Sequence, residues 1–84
     1  MVKHASVVAL GALGWILAEE RRAHRFLDLT GLTVDGLRTA VDDVATHRAV
    51  FEFLCAHEPD LVEAARALDM EPAELARMKE ALSQ

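Results

Sequence analysis

Leu27-Asp28-Leu29-Thr30-Gly31-Leu32-Thr33-Val34-Asp35-Gly36-Leu37 reads as the end of one helix, a tight turn and the start of another. Gly31 suits the position just past a helix end, because only glycine enters the left-handed region without penalty. Thr33 suits the N-cap of a helix beginning at Val34, its hydroxyl replacing the missing partner of a first-turn N–H. At a shift of about 38 residues the same design returns as Ala65-Arg66-Ala67-Leu68-Asp69-Met70-Glu71-Pro72-Ala73-Glu74-Leu75. Pro72 there stands at a first helical position, where its missing N–H is not needed.

The correspondence extends outward without a gap. Leu13, Trp15, Ile16, Ala18 and Glu20 fall on Phe51, Phe53, Leu54, Ala56 and Glu58, while Leu27, Leu29, Leu32 and Leu37 fall on Ala65, Ala67, Met70 and Leu75. Helix breaks coincide as well as apolar positions, which favours duplication over chance similarity between Ala/Leu-rich helices. The expected fold is all-α: one helical domain over residues 1–84, a compact bundle of about five or six short helices in two similar three-helix halves, about 6–44 and 45–82.

Periodicity places the helices. The first, Ser6 to Ala18, is apolar nearly all round, so it is central to the bundle or contacted by a partner. Gly11 and Gly14 would let a neighbouring helix approach it closely. The second covers Arg22 to Leu29, with Phe26, Leu27 and Leu29 on its apolar side. The third, Val34 to Val44, has Val34, Leu37, Val41 and Val44 as its inner stripe. The fourth runs from His47 to His57 with Val50, Phe51, Phe53 and Leu54 inside; Pro59 stops it, and Asp60 caps a fifth helix over Leu61 to Leu68. Glu71-Pro72 opens the last, with Leu75, Met78 and Leu82 as its stripe.

The 84 residues carry a formal net charge of −5, which repels nucleic acid and anionic lipid. Lys3 and His4 ahead of the apolar run Ala5 to Ala18 look like a secretory signal. The run is shorter than the roughly 20 residues of a membrane span, and its repeat counterpart is the fourth helix, so it is read as part of the fold. Cys55 is the only cysteine, which excludes an intramolecular disulfide and agrees with a reducing cytoplasm. It is read as a small buried hydrophobe.

No constellation carries chemistry. His47 and His57, on one predicted helix, stand roughly 15 Å apart along its axis and cannot share a metal. His4 and His24 complete no ligand pair, and Cys55 and His57 point to different sides of a helix. Ser6 and Ser83 are terminal, no nucleophile elbow or Gly-rich phosphate loop occurs, and the glutamates are spaced as solvated faces. No catalytic residue, metal or cofactor is expected, and the chain is read as not an enzyme.

The segment Ala64 to Leu75 has the form of a helix-turn-helix. A DNA-reading helix presents its first turn to phosphates, however, and here that turn carries Glu71 and Glu74, with Asp35 at the equivalent place in the first half. Packing is the favoured role. A nucleic-acid-binding regulator, with Glu71, Pro72, Glu74 and Arg77 marking the reading turn, is the alternative.

Three segments, Ala9-Leu10-Gly11-Ala12-Leu13-Gly14-Trp15, Arg25-Phe26-Leu27-Asp28-Leu29-Thr30-Gly31-Leu32 and Phe51-Glu52-Phe53-Leu54, resemble a family of short bacterial proteins catalogued as domain of unknown function 3572. The resemblance covers nearly the whole chain. It departs at Gly36, where a good helix former is expected, and at Asp69, where the first half has Gly31. It implies an all-helical bacterial cytoplasmic protein and no assigned activity. Trp15 and the overfull apolar first helix point to protein contact as the function, with an unknown partner or another copy of the chain and without membrane or nucleic acid. Trp15 is the candidate interaction residue if it lies at the surface; as the counterpart of Phe53 it is expected instead to be largely buried, the two aromatics occupying related sites in one core.

Overall fold

Short apolar stripes broken by Gly, Pro and Asp-containing turns give short helices. The computed structural model, which describes residues 4–82, has six: α1 Ala5–Leu17, α2 Glu20–Thr30, α3 Val34–Ala40, α4 Val44–Cys55, α5 Glu58–Ala67 and α6 Pro72–Leu82. Among the described residues there is no strand. Lys3 and Ser83 lie outside them. The helices form a compact bundle of 33 × 26 × 18 Å.

The predicted turn chemistry is present. Gly31 lies at φ 75°, and its N–H donates to the Leu27 carbonyl, ending α2. The Thr33 hydroxyl accepts from the Gly36 N–H at 2.9 Å, opening α3. Asp69 also lies in the left-handed region, at φ 57°, and is the position equivalent to Gly31 under the shift. The same shift brings the start of α2 onto α5 and that of α3 onto α6, and the end of α1 onto α4.

Several boundaries differ from the sequence reading. α3 stops at Ala40, because the Asp43 N–H turns back onto the Ala40 carbonyl and Asp43 takes the extended N-cap conformation of α4. Val44 thereby opens α4 and is exposed, as is Val34, so the expected inner stripe of α3 reduces to Leu37 with partly buried Val41. α4 ends at Cys55, and His57 is the N-cap of α5. Pro59 sits in the first turn of α5, where no intrahelical N–H bond is lost, instead of stopping α4. Asp60 does not cap; it lies within that turn. Cys55 is exposed, not buried, because the inward side of α4 is taken by Val50, Phe51, Phe53 and Leu54.

α4 is the hub, packing against α1, α2, α5 and α6. Phe26, Phe51, Ile16, Leu54, Leu75 and Val50 are its largest fully buried neighbours and members in the core. Phe26 meets Phe53 edge-on at 5.5 Å between ring centroids, a geometry that adds about 0.5–1.5 kcal/mol to area burial. Gly11 lies close under Leu68: a Cβ there would stand 2.9 Å from Leu68 Cδ2, and the end of that side chain would have to shift. Gly14 has no such neighbour: nothing lies within 4 Å of where its Cβ would be, contrary to the expected close approach of a neighbour within the bundle.

Candidate functional site

The surface features come from how each helix spends its faces. α1 turns Val8, Ala9, Ala12, Leu13 and Ile16 into the core. Its remaining side has no ionisable residue, yet Val7 is 63% exposed and Leu10 and Leu17 are also open, with Gly14 between them. On a helix these four positions fall on one stripe, spaced three, four and three. This bare apolar face is the most distinctive surface of α1.

Trp15 stands at its edge and is half-buried against the core. The Arg22 guanidinium covers the indole at 3.6 Å from the ring centroid. Arg22 also donates through Nη2 to the Trp15 carbonyl and through Nη1 to Glu19 at 3.2 Å. One arginine thus closes the C-terminal end of α1, satisfying a carbonyl there and screening the ring. The candidate interaction residue is in this way partly occupied by its own chain.

Phe53, the position equivalent to Trp15, is buried and likewise lies under an arginine of α2, Arg25 at 4.7 Å. Arg25 pairs with Asp60, whose Oδ2 also lies 3.1 Å from His57 Nδ1. This cluster ties α2 to the start of α5. Arg25 and His57 are about half exposed, so the pairing contributes at most about 1 kcal/mol.

Of the other histidines, His47 is buried, which the sequence reading missed. Its Nε2 donates to the Val41 carbonyl at 2.8 Å and so holds the end of α3 against α4, while Nδ1 is buried without a partner. His57 lies outside α4, so the two never share a helix. Among the described residues no three His, Cys, Asp or Glu side chains are grouped to hold a metal.

The helix-turn-helix alternative maps onto a shallow cleft at the α5–α6 turn. Val62, Arg66, Asp69, Met70, Glu71, Pro72 and Glu74 line it; Arg77 is exposed further along α6. Of its charged lining residues three are carboxylates, Asp69, Glu71 and Glu74, and one is a guanidinium, Arg66. No helix among the described residues is long and apolar enough to cross a membrane.

Fold and surface together define a small all-helical bundle in which no catalytic or nucleic-acid-binding motif is evident among the described residues. The chain belongs to the family described as protein of unknown function DUF3572, whose family model matches residues 2–84. No curated protein and no solved structure matches it.

Proposed function

We propose that this protein is a non-enzymatic cytoplasmic interaction module that works by contacting another protein or a second copy of itself. The observation that carries the reading is the bare face of α1: Val7, Leu10, Gly14 and Leu17 present an uncharged stripe to solvent on a helix whose opposite side is core. An exposed apolar face of this kind on an otherwise charged small protein marks a contact surface. The acidic turn at Glu71 and Glu74 weighs against the nucleic-acid alternative. We further propose that residues of about 6–44 and 45–82 arose by duplication, which accounts for the matched helix ends and the matched left-handed positions Gly31 and Asp69.

Affinity capture from the native cell, run in parallel with the wild-type chain and Leu10→Lys, tests the interaction reading. The expected result is a protein, or untagged copies of this chain, retained by the wild type and lost with the variant. Equal recovery with both, or submicromolar binding of random duplex DNA at low salt, contradicts it.

A further inference from the structure

We infer that the groove between α2 and α4 takes up a helical segment of a partner protein that carries a leucine with a lysine or arginine beside it. This face is separate from the stripe on α1, and the inference stands or falls without it. The groove has a volume of about 520 Å³, with the buried rings of Phe26 and Phe53 in its lining. Its α4 wall is Ala45, Ala49, Glu52 and Ala56, spaced four, three and four, so these residues share one side of the helix over about 16 Å. Leu29, which is 70% exposed, and Leu32 line the other wall.

The internal correspondence identifies what the groove lacks. The shift of about 38 residues carries α1 onto α4 and α2 onto α5, so the α2–α4 seam corresponds to the seam between α5 and α1. In that second seam Leu68 reaches across, its Cδ2 lying 2.9 Å from where a Cβ on Gly11 would stand. The equivalents between α2 and α4 are Thr30 and Ala49. Thr30 is shorter than leucine, and its hydroxyl donates to the Phe26 carbonyl at 2.9 Å, back along its own helix. Both residues line the open groove instead of closing it. A leucine brought from outside fills the place that Leu68 fills in the other seam, and its burial removes apolar surface that this chain leaves in water.

Charge defines the rest of the occupant. Glu52 is the one ionisable residue in the lining; it is exposed and makes no ion pair among the described residues. The arginines next to the lining are engaged elsewhere: Arg25 pairs with Asp60, and Arg48 donates to the Leu82 carbonyl. In a chain of net charge −5 this rim attracts a cation and repels an acidic segment. Shape selects a helix. A row of alanines beside an exposed leucine lets a second helix lie along α4, with apolar residues three and four apart entering the groove. Ala45, Glu52, Ala56 and Leu29 are all exposed, so the groove is an open trough in which a small apolar molecule would keep much of its surface in water.

Amide chemical shifts of the isotope-labelled full chain test this, with peptide added to about 1 mM. The probe is a peptide of about 14 residues made of leucine and lysine, its leucines three and four apart so that they form one helical face. The comparisons are the same peptide with glutamate for lysine, and decylammonium as a small cationic amphiphile. Saturable shifts should centre on Leu29, Ala45, Ala49 and Ala56, and the glutamate peptide should bind at least about tenfold more weakly. Glu52→Lys, and Thr30→Leu, which puts a leucine at the position equivalent to Leu68, should each weaken binding at least about tenfold with unchanged helical circular dichroism. Leu10→Lys should leave the groove shifts unchanged. The proposal is overturned by the absence of saturable groove shifts, by equal affinity for the glutamate peptide, or by binding that survives both groove substitutions. Tighter binding of decylammonium than of the peptide overturns it too, as do the same shifts on concentrating the free protein, which would make a second copy the occupant. Shifts confined to α1 and abolished by Leu10→Lys remove the groove and leave the α1 reading standing. Groove binding together with equal capture by wild type and Leu10→Lys removes the α1 reading and leaves the groove.

Discussion

Asp69 holds a backbone conformation that its side chain disfavours. At φ 57° it does the work that Gly31 does at φ 75°, and a non-glycine residue in the left-handed region gives up roughly 1 kcal/mol. Its negative charge also lies at the C-terminal end of α5, where the helix dipole opposes it. Asp69→Gly should therefore stabilise the protein by about 0.5–1.5 kcal/mol, read as a shift in urea midpoint with unchanged slope; a destabilised variant would mean that the aspartate side chain holds the turn. Gly31 and Thr33 were legible in the sequence because their roles are local, set by φ and by one hydroxyl. Cys55 and His47 were not. Cys55 was read as buried from its residue type, although Val50, Phe51, Phe53 and Leu54 already take the inward side of α4, and the His47–Val41 bond exists only once α3 and α4 are folded against each other.

At the scale of elements, the number and kind of the helices followed from periodicity, and the ends moved where side chains compete for turns. Asp42-Asp43 shortened α3 and lengthened α4, because Asp43 adopts the N-cap backbone of the later helix. Pro59 was read as a stop and is a start, two uses that a sequence alone separates poorly, since proline is excluded from helix interiors and tolerated in first turns. The shortened α3 is the least anchored helix: Leu37 is its one buried residue, while α6 packs against α1, α4 and α5. Arg48 also donates to the Leu82 carbonyl at 3.0 Å and ties α6 to α4. The equivalent leucines thus carry unequal weight. Leu75→Ala, at a fully buried site, should destabilise by about 3–5 kcal/mol, and Leu37→Ala by about 1.5–3 kcal/mol with selective loss of amide protection in α3. Hydrogen exchange combined with denaturant titration checks both; equal losses spread over all six helices would contradict the hierarchy.

For the whole molecule, the all-helical bundle was legible because apolar positions recur at helical spacing in the later segments and the uniformly apolar first segment aligns with the fourth helix under the shift. The candidate site was half legible. An overfull apolar first helix pointed to an uncovered face, but Trp15 drew the attention, and only the packed structure separates it, under Arg22, from the stripe Val7, Leu10, Gly14 and Leu17. A uniformly apolar helix has no amphipathic signal to say which side the bundle will bury. The division of α1 into one core side and one open side is what the functional reading depends on. Two adjacent valines test it most directly, because they share residue type and helix and differ in exposure, 63% for Val7 and 5% for Val8. Urea unfolding of Val7→Lys and Val8→Lys at low micromolar concentration should give a change within about 0.5 kcal/mol for the first and a loss of at least about 3 kcal/mol for the second. Comparable losses for both would mean that α1 is buried all round, and the open face would not exist.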